Sequence, residues 1–169
     1  VEGMNAGSPQ VYAPAFTNYV EGIYVGYKYY ETAAQEGFID YDKTVQYPFG
    51  YGLSYTEFEQ KMGELEEKDG QISVDVEVTN TGDVAGKDVV EVYYKPPYTN
   101  GGIEKSSANL IEFAKTDLLQ PGKSQIVTVT FSIEDMASYD ENNAKAYVLE
   151  KGDYVISINS DSHTVLDQK

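Results

Sequence analysis

Between Gln71 and Asn80 the chain alternates without a slip: Ile72, Val74, Val76 and Val78 are apolar, while Ser73, Asp75, Glu77 and Thr79 are polar. A period of two over that length is a half-buried strand, with Val76 facing the core and Glu77 facing water. Asn80, Gly82 and Gly86 then supply turn residues. Val90, Val92 and Tyr94 alternate with Glu91 and Tyr93 until Pro96-Pro97 stops the strand. A looser strand is predicted over Asn109–Lys115, followed by Pro121-Gly122, the residue pair of a type II turn. Val127, Val129 and Phe131 alternate with Thr128 and Thr130, which puts Val129 inside and Thr128 outside. Residues 133–138 read as one helical turn that Ser132 caps, with Glu134 and Asp135 at its N-terminus. Residues 146–149 and 154–158 are expected to form a last strand pair through Lys151-Gly152-Asp153.

Short strands with turns every ~8–12 residues define a mainly β chain, an immunoglobulin/fibronectin-III-like antiparallel β-sandwich. This sandwich is assigned to residues 58–169, including the start of a following linker. Residues 1–57 have another texture. Tyr12, Tyr19, Tyr24, Tyr27, Tyr29, Tyr30, Tyr41, Tyr47, Tyr51 and Tyr55 are strewn among glycines, with no sustained period apart from a short helix near Tyr27. Such a segment cannot build its own core, so it reads as an irregular N-terminal strap lying on something else. The acidic stretch from Glu64 to Gly70 is read as a solvated connection.

Composition narrows the function. The 169 residues carry 12 basic and 28 acidic side chains, a formal charge of −16, and every basic residue is lysine. Without a basic face or arginine forks, nucleic-acid binding is not expected, nor is attachment to an anionic membrane. No apolar run approaches the ~20 residues of a membrane span. There are no cysteines, hence no disulfide or thiolate metal site. Val1 suggests a piece of something longer, and no signal peptide is evident, so the compartment stays open.

Two stretches carry a resemblance. Glu21-Gly22-Ile23-Tyr24-Val25-Gly26-Tyr27-Lys28-Tyr29-Tyr30 and Tyr47-Pro48-Phe49-Gly50-Tyr51-Gly52-Leu53-Ser54-Tyr55 resemble the end of the second domain in glycoside hydrolase family 3. The remainder of the chain is similar to that family's fibronectin type III-like domain: residues 78–86, then Pro121-Gly122, Tyr139-Asp140 and Gly152-Asp153-Tyr154 keep the family order. Lys28 stands where the family usually has arginine, residues 103–107 lack a frequent proline, and residues 142–147 replace a tryptophan-containing strand. These departures look like a subgroup whose barrel domain follows the sandwich, so that the chain runs on past Lys169.

The resemblance implies a parent β-glucosidase, retaining, acting on terminal β-D-glucosyl residues, whose remaining domains are this chain's partners. Retaining hydrolysis needs two carboxyl groups about 5–5.5 Å apart. The family's nucleophile and acid/base motifs match no position here. No catalytic, cofactor-binding or metal-binding residue is therefore assigned, and this chain alone is expected to be inactive. Asp75, Glu77 and Glu91 are read as surface carboxylates on polar strand faces, and His163 as a surface or strand-end residue. The tyrosines admit two readings, interdomain packing and stacking on sugar faces. The loop 96–102 is read as a long exposed turn, although in relatives the corresponding loop can approach the active-site region. Residues 140–143 offer oxygen ligands but lack calcium-loop spacing. The expected role is a non-catalytic accessory segment, with a stand-alone carbohydrate-binding or adhesion module as the alternative. An exposed aromatic patch would also promote self-association of the chain.

Overall fold

The structure is a computed structural model that describes Asn18, Val20 and residues 22–169. Glu21, Tyr12 and Tyr19, part of the motif and of the tyrosine-rich stretch, lie outside the described residues. Among the described residues there are nine strands (β1–β9) and two α-helices (α1, α2). The first sheet holds β1 (Phe58–Lys68), β2 (Gln71–Asn80) and β5 (Ser124–Ser132) in the order β1-β2-β5, all antiparallel. Val74 lies opposite Val129 and Val76 opposite Val127, so the valine rows of β2 and β5 share one face. Val76 is fully buried and Val129 nearly so, whereas Glu77 and Thr128 face solvent, as the alternation predicts.

The second sheet holds β3 (Val89–Lys95), β4 (Asn109–Lys115), β8 (Val155–Asn159) and β9 (Val165–Gln168), in the order β4-β3-β8-β9. Val90, Val92, Ile156 and Ile158 project from it into the same core, and Met62, Leu119, Phe131 and Met136 complete that core. Two antiparallel sheets around one apolar layer make a fibronectin-type sandwich. Residues Ile133–Met136 form the helical turn foreseen, of 3-10 type. Ser132 accepts from the Glu134 amide, and Asp135 reaches back to the Ser132 amide. Gly122 takes φ +70° in the turn before β5, as the type II reading requires.

Three expectations need correction. The acidic stretch is no free connection: Glu64 to Lys68 belong to β1, an edge strand paired with β2. A bulge between Met62 and Leu65 breaks the period, so the inward residues fall three apart and the alternation is hidden. Gly63 sits in that bulge, where an added Cβ would lie 2.8 Å from the Asp75 carbonyl oxygen. The outward glutamates suit an edge, because like charges repel a second chain.

Residues 146–149 do not pair with 154–158. Strand β7 (Ala146–Val148) instead forms a two-stranded ribbon with β6 (Ser138–Asp140), and β8 pairs with β3 and β9. β9 itself is a strand where a linker start was expected. The pairing of β3 with β4 slips by one residue between Val92 and Tyr93, Ile111 of β4 being the extra one, while Tyr93 keeps the side opposite Val92 that the alternation gives it and is buried there.

Candidate functional site

The outer face of the second sheet is covered. Helix α1 (Tyr27–Gln35) and the four-residue α2 (Tyr41–Thr44) lie over β3 and β8, and the 47–52 turn follows them. Residues four apart on a helix share a face, so Tyr27 and Glu31 both point at the sheet. The Tyr27 ring stacks on Phe49, with centroids 4.8 Å apart, and meets Tyr93 edge-on at 6.2 Å. Its hydroxyl accepts from the Leu110 amide at 2.9 Å, on strand β4.

Glu31 is the hub. Its side chain is buried, and its two oxygens collect three partners. Oε1 accepts from the Tyr41 hydroxyl at 2.6 Å and from the Ser162 hydroxyl at 2.9 Å; Oε2 lies 2.8 Å from His163 Nδ1. The Tyr41 ring stacks flat on the His163 imidazole at 3.7 Å. The Ser162 amide donates to the Phe49 carbonyl at 2.7 Å, which fixes the far end of the strap. Asp161 shapes the turn beneath by accepting from the amides of His163 and Thr164 at 2.9 and 2.8 Å. His163 is thus a partly exposed side chain with a structural task, holding the strap to the sandwich.

Ser162, His163 and Glu31 are the residue types of a hydrolytic triad, yet the geometry is not that of one. A nucleophilic serine must donate to the imidazole that the carboxylate orients. Here the Ser162 hydroxyl donates to the carboxylate itself. The group fastens two parts of the chain and does not activate a nucleophile.

Glu91 also departs from expectation. The strap covers the strand face it stands on, and burial pushes its carboxyl above the ordinary range. The nearby Asp161 and Asp88 push the same way, while the hydrogen bond from Tyr93 opposes them. An added Cβ at Gly50, whose φ is +88°, would come within 2.6 Å of a Glu91 oxygen. Glycine therefore permits both the backbone conformation and the close approach. Burial raises the phenols of Tyr27, Tyr41 and Tyr93, with Glu31 adding at Tyr41 and Glu91 at Tyr93; Tyr41 donates to Glu31 and Tyr93 to Glu91, while Tyr27 accepts. Asp75 and Glu77 are exposed, as read from the sequence.

A second contact ties α1 to the long loop. The Thr32 hydroxyl accepts from the Ser107 amide at 3.0 Å, and the Tyr24 hydroxyl donates to Glu104 at 2.5 Å. Lys105 is buried there, donating to the Pro97 carbonyl at 2.7 Å and paired with Glu150. The loop base is therefore anchored, while Tyr98, Thr99 and Asn100 project into solvent. A cleft of about 420 Å³ opens between this loop and α1, and another of about 470 Å³ between α1 and the β3–β8 face. The Asp140 carboxylate accepts from the amides of Asn142, Asn143 and Ala144 at 3.0 Å each, so its oxygens close a turn.

The strap's other side has no partner among the described residues. Leu53 is 89% exposed, Tyr55 96%, Phe38 81% and Tyr47 65%, with Tyr47 and Tyr51 resting against each other at 5.3 Å.

These features define a class first: a fibronectin type III-like sandwich with an aromatic strap docked on one sheet. The fibronectin type III-like domain family matches residues 88–162. Beta-glucosidase A of Butyrivibrio fibrisolvens is 42% identical over 159 residues, covering 82% of this chain and 18% of that protein. The structure of Thermotoga neapolitana beta-glucosidase 3B in complex with glucose superposes with a TM-score of 0.74 at 38% identity, over 89% of this chain and 19% of that one. A Bifidobacterium adolescentis GH3 beta-glucosidase gives 0.75 at 30% identity, over 88% and 20%. The chain is similar to glycoside hydrolase family 3 beta-glucosidases over the region of their fibronectin type III-like domain. It spans about a fifth of the length of these relatives.

Proposed function

We propose that this chain is the non-catalytic accessory segment of a β-glucosidase, a retaining enzyme that removes terminal β-D-glucosyl residues. In this reading residues 1–57 belong with the sugar-binding domain and residues 58–169 form the sandwich, which holds that domain in register with the rest of the enzyme. The observation that carries the proposal is the two-sided strap. Tyr27, Tyr41 and Phe49 fix one side to the sandwich, while Phe38, Tyr47, Leu53 and Tyr55 offer an apolar surface on the other. Large exposed apolar side chains gathered in one segment mark an interaction surface. A free-standing adhesion or carbohydrate-binding module has no use for a strap whose inner side is already spent on its own sandwich.

A clamp influences chemistry without touching substrate, because ~1 Å of misplacement between reacting groups costs ~10²-fold in rate. The test is the full-length parent enzyme carrying Leu53→Asp and Tyr55→Ser together. We expect a lower melting temperature and a fall in kcat/KM approaching ~10²-fold, while the 169-residue chain bearing both changes melts as before. A parent enzyme that keeps its activity and stability with both changes would overturn the clamp reading.

A further inference from the structure

The cleft between α1 and the long loop is lined by exposed rings and by carboxylates that pair with no cation. Tyr29, Phe38 and Tyr98 are 49%, 81% and 45% exposed, and Tyr24 lines the cleft with them. Glu36 reaches it from the C-terminal end of α1, and Glu104 from the far limb of the loop. Both are exposed, and neither forms an ion pair among the described residues. Desolvation raises the Tyr24 and Tyr98 phenols, and Glu104 and Glu36 add to the rise at both, so the two carboxylates act on one pair of rings. The volume of about 420 Å³ falls within the usual span of small-molecule sites, about 300–1,000 Å³.

The charges of the lining decide the sign of an occupant. Lys105 is buried, and Glu150 already pairs with it. That leaves Glu36 and Glu104 against Lys95, two negative charges against one positive. A lining with this balance, on a chain of formal charge −16, draws in monovalent cations and repels anions. The rings decide which kind of cation. Calcium takes about 6–8 oxygen ligands, more than two carboxylates supply, and gains nothing from ring carbon. An organic ammonium gains twice, because aromatic rings attract its charge and cover its methyl groups. We propose that this cleft binds a small organic ammonium ion among the rings of Tyr24, Tyr29, Phe38 and Tyr98, with Glu36 and Glu104 as its counter-charges. The proposal does not rest on the clamp reading, since its deciding residues, Tyr98 and Glu104, stand on the loop and its test uses this chain alone.

The test is a titration of the 169-residue chain with tetramethylammonium chloride, followed through backbone amide shifts. We expect saturable shifts at the amides of Glu36, Tyr98 and residues 104–107, with Kd on the order of 1–10 mM. Sodium chloride and the neutral tert-butanol, at equal concentration, should give no saturable shift there. One cation–π contact at an exposed site is worth about two- to fivefold in affinity. Tyr98→Ala should weaken binding by about that factor, whereas Tyr98→Phe, which keeps the ring, should retain it. Glu104→Gln removes the charge, leaves an acceptor for the Tyr24 hydroxyl and should weaken binding by about threefold. The two losses combined should approach about tenfold. The β2 amides report whether each variant is folded, and if Tyr98→Ala is not, Glu104→Gln decides alone. Shifts that never saturate, equal binding of tert-butanol, or folded variants that bind as tightly as the unsubstituted chain each overturn the proposal.

Discussion

The sandwich and the strap are held by opposite means. In the sandwich, Val74, Val76, Val78, Val90, Val92 and Ile158 are wholly excluded from solvent in one apolar cluster. In helix α1 only Glu31 and Ala33 are buried, and the strap is fastened by hydrogen bonds, three of them on the Glu31 carboxylate, and by two ring stacks. Burial of apolar area is non-directional and spread over many residues. A hydrogen-bonded hub is directional and concentrated in one group. The sandwich should therefore fail only as a whole, whereas the strap should open at a single point and leave the sandwich standing.

The largest effect belongs to the sandwich. Val76→Asp places an unpaired charge in the closed core and should cost about 4 kcal/mol or more, enough to unfold the chain. Glu77→Lys, one residue on and facing solvent, should change stability by only ~0.5 kcal/mol. Urea unfolding of the two variants compares them directly. Similar midpoints would mean that β2 is placed one residue out of register.

The strap's weak point is Glu31. Glu31→Ala leaves Tyr41, Ser162 and His163 without their shared acceptor. Hydrogen bonds to a charged group are worth ~1.5–3 kcal/mol, so we expect strap opening to become easier by about 2–3 kcal/mol. Amide exchange reads this locally. Protection of the Val45 amide, which bonds to the Tyr41 carbonyl, should fall by roughly 10²-fold, while the β2 amides keep theirs. Equal loss in both places would show that strap and sandwich are one cooperative unit and abolish the contrast between them.

The same contrast sets what a reader of the sequence sees. Strands β2 and β5 are legible because every second residue is buried, and β4 because turn residues bound it. The capped turn at Ser132 is legible from local chemistry alone. Strand β1 is not, because its bulge breaks the period at Gly63. The pairing of β6 with β7 is not, because three-residue strands carry too little alternation to fix a partner. The hub is the extreme case: Glu31 and His163 lie 132 residues apart and neither belongs to a motif. The faint signal was a lone carboxylate four residues after Tyr27 in an aromatic helix, together with a histidine in an Asp-Ser-His-Thr turn. Hydrophobic pattern reports a residue's own environment, whereas a hub is a relation between distant residues.

The smallest effect is electrostatic, and it sets the two regions against each other in sign. Glu91, under the strap, has its carboxyl raised above the ordinary value, chiefly by burial. Between its unfolded and folded values the native state binds the extra proton. Its contribution is therefore full below the unfolded value and is lost as pH rises through the folded one. Asp140, in the β6–β7 turn, is lowered, foremost by the hydrogen bond from the Ala144 amide. Its contribution is present above the unfolded value and is lost as pH falls through the folded one. Urea unfolding from pH 3 to 7 (about the span over which carboxylates titrate) should show both slopes. Glu91→Gln keeps an acceptor for the Tyr93 hydroxyl and should remove only the loss on the alkaline side. Asp140→Asn should remove only the loss on the acid side. The comparison sharpens when the Glu91 carboxyl is followed by carbon-13 shift in the Glu31→Ala background. If the strap supplies the burial, opening it should return the Glu91 midpoint towards the ordinary ~4.3 of a solvated glutamate. The Asp140 midpoint, held by its own turn, should stay where it was. A Glu91 midpoint that ignores the loss of Glu31 would place the source of its burial in the sandwich and not in the strap.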